Sequence, residues 1–176
     1  MDTVIGILRQ VRERGHDLHL HILGDIEDSP FGKKVQALAA RHRDWVFLEG
    51  RVVGPAKRKL MARHRFGING CAGEAFGIAV AELVKAGCIT FVPDGGGQTE
   101  IVDHAALTFQ SDDEGVHKIV GALESRALQE ALLAHLCERS RELSTDRFQD
   151  TVRSLVQEFL AAEGCKSQLD RPPSPA

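Results

Sequence analysis

Apolar residues alternate between a helical and a strand-like spacing from Val4 to Phe109, and this alternation restricts the chain to one class of fold. One segment of this pattern, Cys88–Val92, is apolar on both faces, as a strand buried inside a parallel sheet should be. It lies between a helical pattern that ends at Gly87 and a glycine-rich loop. This order of elements predicts an α/β fold: a Rossmann-like, mostly parallel sheet with helices on both faces.

The boundaries of the predicted elements follow from the glycines and prolines between the apolar runs. Predicted helices cover about residues 4–14, 30–42, 54–63, 77–86 and 99–102, and predicted strands cover 18–23, 45–48, 66–69, 88–92 and 106–109. After Asp112 the sequence predicts a helical C-terminal segment to about Ala162, interrupted near Ser125 and Ser144. We therefore expect one domain over residues 1–162 and a disordered tail over residues 163–176.

The composition excludes several classes of protein. The 22 basic and 25 acidic residues nearly balance, so the chain has no general affinity for nucleic acid. No apolar run approaches the roughly 20 residues that span a bilayer, and we expect no signal peptide because Arg9 ends the first apolar run. The cysteines show no metal-site spacing, and we expect reduced thiols in a cytoplasmic protein. They are Cys71, Cys88, Cys137 and Cys165.

Two carboxylates, Glu74 and Glu82, stand on either side of a predicted helix start at Gly77. A helix start offers free backbone N–H groups and the positive end of the helix dipole, and it therefore attracts phosphate. A diphosphate bound there would place a ribose near Glu82 and a sugar near Glu74, whose oxygens can accept hydrogen bonds from hydroxyls. The spacing thus predicts a sugar-nucleotide site. The alternative is that Glu82 pairs with Lys85 on the helix surface and that Glu74 is an ordinary loop carboxylate.

Three successive glycines, Gly95, Gly96 and Gly97, follow the predicted strand at Cys88–Val92. Glycines at the end of a strand allow a ligand to approach the backbone closely, and a flexible turn is the alternative interpretation. Glu100 follows them, and it either belongs to the same motif or caps its own helical segment.

In order and spacing, from about residue 4 to residue 160, these motifs resemble the C-terminal, donor-binding half of a group 1 (family 4) glycosyltransferase of the GT-B fold. The matching segments are Leu20–Asp25, Trp45–Val52, Glu74–Ile78, Glu82–Gly87 and Gly96–Val102. The resemblance implies a retaining transferase that uses a nucleoside diphosphate sugar as its donor and needs no metal or other cofactor for it.

The resemblance also implies roles for the residues at matching positions. Glu74 would contact hydroxyls of the donor sugar, which makes it the implied catalytic residue, and Glu82 would contact the ribose. Backbone amides after Glu74 would meet the phosphates, and the segment after Gly50 would lie near the base. The implied donor-binding set is Glu74, Ala75, Phe76, Gly77, Ile78, Glu82, Gly96, Gly97, Arg51 and Val52.

The family pattern extends beyond this sequence at its N-terminal side. Family members carry an Arg and a Lys that neutralise the donor diphosphate, on the loop before the helix that here begins near Thr3. That loop, the first strand and the N-terminal acceptor domain lie outside this sequence. We therefore expect a fragment or one partner of a split enzyme, inactive alone and prone to self-association through its exposed interdomain face. The basic run Lys57–Lys59 is predicted to be a solvated helix face and no substitute for the two cations.

Other functions compete with glycosyl transfer. A non-catalytic sugar-nucleotide-binding or interaction module would suit a chain without the acceptor domain, and a GT-B-fold epimerase would share the architecture. A dinucleotide-binding oxidoreductase is disfavoured because no GxGxxG opens a helix after a strand. We expect a cytoplasmic protein, with a peripheral position at the inner face of a membrane as the alternative, because many relatives act on lipid-linked acceptors.

Two histidines, His19 and His21, lie two residues apart on one face of a predicted strand. They could be metal ligands, but no third ligand stands near them in the sequence. The sequence therefore favours a polar strand face and predicts no metal site.

Overall fold

The computed structural model describes the backbone of residues 2–169 and the side chains of residues 2–162. The strands are β1 (Leu20–Leu23), β2 (Val46–Gly50), β3 (Phe66–Ile68), β4 (Ile89–Pro93) and β5 (Thr108–Phe109). The helices are α1 (Asp2–Glu13), α2 (Pro30–Arg41), α3 (Gly54–Met61), α4 (Ile78–Lys85), α5 (Gly97–Val102), α6 (Asp112–Glu124), α7 (Arg126–Glu142) and α8 (Thr145–Leu169). Each predicted helix and strand is present, and most boundaries agree within two residues.

All strand pairs are parallel, as predicted, but the strands form two sheets and not one. β1 pairs with β2, placing Leu20 opposite Val46. The second sheet has the order β3-β4-β5, with Phe66 opposite Ile89. Among the described residues, no ladder joins β1 to β3, and a cavity of about 440 Å³ is lined by residues of both strands. The parallel α/β arrangement is therefore confirmed, and it is divided into two sheets because the edges of β1 and β3 do not meet.

The core surrounds β4, in which every residue is buried. Helices α4 and α5 pack against this strand, and α1 packs against α6. The side chains of Val80, Val84 and Val102 are at most 3% exposed. A fully buried strand packs against other elements on both faces, which explains why the residues of Cys88–Val92 are apolar on both faces.

Helix starts follow the capping chemistry of the sequence. The Ser29 hydroxyl accepts a hydrogen bond from the N–H of Gly32 and caps α2, and Ser111 does the same for α6 through the N–H of Glu114. Gly77 takes the capping position of α4 with a left-handed backbone (φ 75°) and no capping side chain of its own. The start of α4 therefore depends on a neighbouring residue for a hydrogen-bond acceptor.

The chain divides into two compact units, residues 1–140 and residues 141–176. This division falls earlier than the predicted domain border at residue 162. Helix α8 continues to Leu169, so the predicted tail is helical over residues 163–169, where proline is absent. The rest of that tail, residues 170–176, lies outside the described residues.

One face of α8 carries apolar side chains that the structure leaves exposed. They recur at helical spacing: Phe148, Val152, Leu155, Val156, Phe159 and Leu160. Within the described part of the chain, no helix is long and apolar enough to cross a membrane.

Candidate functional site

Glu74 supplies the acceptor that the start of α4 needs. Its Oε1 accepts hydrogen bonds from the backbone N–H of Phe76 at 3.3 Å and of Gly77 at 3.1 Å. Two N–H groups therefore converge on one anionic oxygen at the positive end of the helix dipole. The two N–H groups at this helix start are thus occupied by the carboxylate of the same loop, and phosphate binding there stays a prediction.

Gly77 has both a conformational and a steric reason to be glycine. Its φ of 75° is a conformation that side chains rarely adopt. A Cβ added there would lie 2.7 Å from Cδ1 of Ile101 and 3.1 Å from Cα of Gln98. The start of α4 thus sits directly on α5, and no larger residue fits between the two helices.

Gly96 and Gly97 allow the backbone of the Glu74 loop to approach. A Cβ at Gly96 would overlap the carbonyl oxygen of Glu74, and one at Gly97 would overlap the carbonyl oxygen of Ala75. The N–H of Gly97 donates a hydrogen bond to the Glu74 carbonyl at 3.0 Å. The close approach predicted for a ligand is therefore made by the chain itself, and the two motifs interlock.

The side chain of Gln98 stabilises the contact between the Glu74 loop and the glycine run by hydrogen bonds. Its role was not predicted from the sequence. The side chain is fully buried, and its Nε2 donates to the carbonyl oxygens of Cys71 at 2.7 Å and Pro93 at 3.1 Å. Its Oε1 accepts a hydrogen bond from Nδ2 of Asn69 at 2.8 Å. A glutamine next to a glycine run gives no local signal of burial, because glutamine is mostly a surface residue.

Glu82 forms an ion pair that the sequence did not predict. Nζ of Lys57, on α3, lies 2.5 Å from its Oε2, with the two side chains 29% and 39% exposed. The prediction that Lys57 belongs to a solvated basic face was wrong, because this lysine turns toward α4. Arg58 and Lys59 are exposed as expected. The alternative pairing of Glu82 with Lys85 is not the one in the structure.

The remaining predicted site residues lie at the surface. Phe76 and Ile78 are 78% and 71% exposed, which is unusual for large apolar side chains in a folded chain. Arg51 is exposed after β2, with its Nη1 3.9 Å from Oδ2 of Asp25. Among the described residues, no hydrogen bond or ion pair joins Arg51 or Val52 to the Glu74 loop. Their proximity to a bound base stays a prediction.

The thiol of Cys88 is a structural group. Its Sγ donates to the carbonyl oxygens of Met61 at 3.4 Å and His64 at 3.2 Å, and burial raises the pKa of the thiol to about 11. The thiol is therefore protonated at neutral pH and is not a nucleophile. Cys71, in the Glu74 loop, is exposed and forms no disulfide with another described cysteine.

The fold defines the class of protein. Solved structures with the GT-B glycosyltransferase architecture share its parallel sheets and covering helices. The GtfA/B complex has a TM-score of 0.73 at 20% identity, with 90% of this chain and 33% of that chain covered. HepE from Anabaena, in complex with UDP, has a TM-score of 0.74 at 15% identity, with 90% and 45% covered. The catalytic domain of cholesterol-α-glucosyltransferase from Helicobacter pylori has a TM-score of 0.63 at 14% identity, with 81% and 89% covered.

The family model of Glycosyl transferases group 1 matches residues 1–136, and the chain belongs to this family. The resemblance carried by the sequence motifs is thereby confirmed for the family and the fold. The chain covers 33% of the matched chain of the GtfA/B complex and 45% of HepE, less than half of either. No curated protein matches the sequence at a significant level.

Proposed function

We propose that this chain is the donor-binding half of a retaining glycosyltransferase that moves a sugar from a nucleoside diphosphate sugar to an acceptor. Family membership supports the reaction class. Two similar structures support the donor class, since HepE was solved with UDP and pneumococcal GtfA with UDP and GlcNAc. The site geometry supports the position of the donor.

One observation carries the proposal: the Glu74 carboxylate rests on the N–H groups of Phe76 and Gly77. An anionic oxygen already occupies the position that the proposal gives to a phosphate oxygen. The incoming diphosphate must displace this carboxylate, and the displaced carboxylate becomes free to accept hydrogen bonds from the donor sugar. Glu74 therefore closes the site in the free protein and positions the sugar in the complex.

Glu82 is proposed to hold the ribose. Lys57 bonds its Oε2, which leaves Oε1 free to accept a ribose hydroxyl. Lys57 is thus a positioning residue, and it adds a cation near the donor that the sequence pattern did not indicate.

The chemical contribution of this half is electrostatic. When the bond between the sugar and the diphosphate breaks, negative charge grows on the leaving phosphate oxygen, and the start of α4 stabilises it. Glu74 and Glu82 hold the two ends of the donor in place. We assign no protein base and no metal ion to the donor site.

The acceptor site and the two diphosphate-binding cations are proposed to come from an N-terminal domain or a partner chain. The exposed apolar side chains of Phe76 and Ile78, beside the start of α4, are surface that a covering partner would bury. We propose a cytoplasmic location, with contact at the inner face of a membrane if the acceptor is a lipid.

A thermal-shift screen tests the proposal. The chain is heated with UDP, GDP, ADP and their common sugar conjugates, beside the Glu82→Gln variant. At 100 times its dissociation constant a ligand stabilises by about 2.7 kcal/mol, which corresponds to about 5–10 °C for a chain of this size. We expect one nucleotide to raise the melting temperature, and the shift to fall in the variant. Stabilisation that is equal in both proteins would contradict the assignment of Glu82.

A second candidate is a non-catalytic module, favoured by the fact that Glu74 itself closes the anion site. The two candidates differ in their response to removal of that carboxylate. In a complete enzyme Glu74→Ala should abolish most turnover if the site is catalytic. Near-normal turnover would exclude the proposed role of Glu74.

A further inference from the structure

Three histidines, two neighbouring in sequence and one distant, meet at the amino ends of β1 and β3. His19 precedes β1, His21 lies within it, and His64 lies between α3 and β3. One ring nitrogen of each lies within 4.8 Å of the other two. The ring centroids are 4.7 Å apart for His21 and His64 and 5.0 Å apart for His19 and His21. The fold therefore supplies the third ligand that the sequence could not show.

Two of the rings are held in the tautomer that suits a metal ligand. Nδ1 of His21 lies 2.6 Å from Oε1 of Glu49, and Nδ1 of His64 lies 2.8 Å from the carbonyl oxygen of Leu60. Ionised carboxylate and carbonyl oxygens only accept hydrogen bonds, so each Nδ1 carries the proton. Each Nε2 then keeps a free lone pair. Ligating histidines commonly donate their other ring N–H to such oxygens.

We propose that His19, His21 and His64 bind a divalent cation of the zinc class. Imidazole nitrogens suit zinc, cobalt and nickel, whereas magnesium and calcium prefer oxygen ligands. A tetrahedral site with metal–nitrogen distances of about 2.0–2.1 Å places its nitrogens about 3.4 Å apart. Side-chain rotations that close the cluster by about an ångström reach this geometry, and water completes the fourth position.

The surroundings of the cluster carry charges of both signs. The acidic Glu49 bonds His21, and Asp17 lines the cavity that contains the histidines. Lys57, Arg63 and Arg65 line it as well, and Lys57 is paired with Glu82. The metal would connect β1 to the segment that leads into β3, and these strands belong to different sheets. The site would thus be structural, tying together two sheets that no backbone ladder joins within the described residues.

The histidine cluster is separate from the Glu74 loop, although Glu82 and Lys57 line the same cavity as the histidines. The histidines lie at the amino ends of β1 and β3, whereas the Glu74 loop follows the carboxyl end of β3. The two proposals can still fail separately, because cobalt absorption reports the histidines and the amides of Phe76 and Gly77 report the phosphate site. The effect of UDP on the melting temperature should be the same with and without a chelator.

Cobalt titration of the tag-free chain, first treated with chelator and dialysed, tests the metal site. We expect one equivalent of Co²⁺ to produce the visible absorption of a tetrahedral nitrogen site, and Zn²⁺ to displace it. A tenfold excess of Mg²⁺ should not. Affinity should fall at least tenfold in His64→Ala and in His19→Ala, the second of which removes only an exposed side chain.

Two further variants sharpen the titration. His117→Ala removes an exposed histidine of α6 and should leave cobalt binding unchanged. Glu49→Gln should weaken binding 10–100-fold while the absorption spectrum keeps its tetrahedral form, because Glu49 only orients His21. Absence of the tetrahedral spectrum in the parent chain would overturn the proposal. Cobalt binding that survives both His64→Ala and His19→Ala would overturn it as well.

Discussion

The Glu74 loop and the histidine cluster lie at opposite ends of the parallel strands, and they are assembled in different ways. The Glu74 loop is built by backbone contact, since Gly96 and Gly97 admit the main chain of Glu74 and Ala75. The cluster is built by side chains that the topology brings together from β1 and the end of α3. A close backbone contact can be predicted from the sequence, because only glycine fits there. The meeting of side chains from distant elements cannot be predicted in this way. The first region is therefore sensitive to small changes, and the second should tolerate them.

The largest effect is expected for Gly96→Ala. Its φ of 70° and the overlap of a Cβ with the Glu74 carbonyl should together destabilise the fold by about 2–5 kcal/mol. Urea unfolding measures the loss. The matched control is Gly73→Ala in the same loop, where nothing lies within 4 Å of an added Cβ. A loss below about 1 kcal/mol in the first variant, or an equal loss in both, would show that the two motifs do not interlock.

Gln98→Leu should have the next largest effect. The substitution keeps the volume but leaves the carbonyls of Cys71 and Pro93 and the amide of Asn69 without their buried partner. We expect a loss of about 2–4 kcal/mol in urea unfolding. Gln110→Leu, on an exposed glutamine, should change the stability by less than about 0.5 kcal/mol. Equal stability of the two variants would show that Gln98 does not fasten the Glu74 loop.

Glu74→Ala should lower the stability modestly and should change the affinities for UDP and for a nucleotide sugar in different ways. Loss of the helix cap should destabilise by about 1 kcal/mol. UDP should bind as tightly as before or more tightly, because its competitor for the two amides is gone. The additional affinity contributed by the sugar of a nucleotide sugar should disappear. Calorimetric titration with UDP and with its sugar conjugate separates these effects, and a parallel loss for both ligands would argue against a competing carboxylate.

An effect on stability as small as that of Glu74→Ala is expected for His64→Ala in the presence of a chelator. The variant loses one hydrogen bond, to the Leu60 carbonyl, which contributes about 0.5–1.5 kcal/mol. Without metal the cluster should therefore be tolerant to substitution, in contrast to Gly96. Thermal unfolding in chelator and in zinc makes the comparison. If His64→Ala in chelator loses as much stability as Gly96→Ala, the histidine rings are part of the packed core. The two regions would then not differ in their tolerance to substitution.

The sequence predicted the elements well because helical and strand periods, capping residues and glycines are local signals. It also predicted the helix start at Gly77 and the two carboxylates beside it. It could not show that Lys57 turns toward Glu82, that His64 joins His19 and His21, or that Gln98 is buried. Each of these depends on how separate elements pack. The division into two sheets between β1 and β3 was missed for the same reason, because the apolar pattern of a strand does not show which strand pairs with it.

The proposed donor site depends on one event at the start of α4: the donor diphosphate binds there after Glu74 leaves it. The most direct measurement is an NMR titration of the isotope-labelled chain with UDP at millimolar concentration, following the backbone amides of Phe76, Gly77 and Ile78. We expect these amides to shift together, with a weaker response in Glu82→Gln. A titration that moves residues lining the cavity between β1 and β3 but leaves the amides of Phe76, Gly77 and Ile78 unchanged would contradict the proposal.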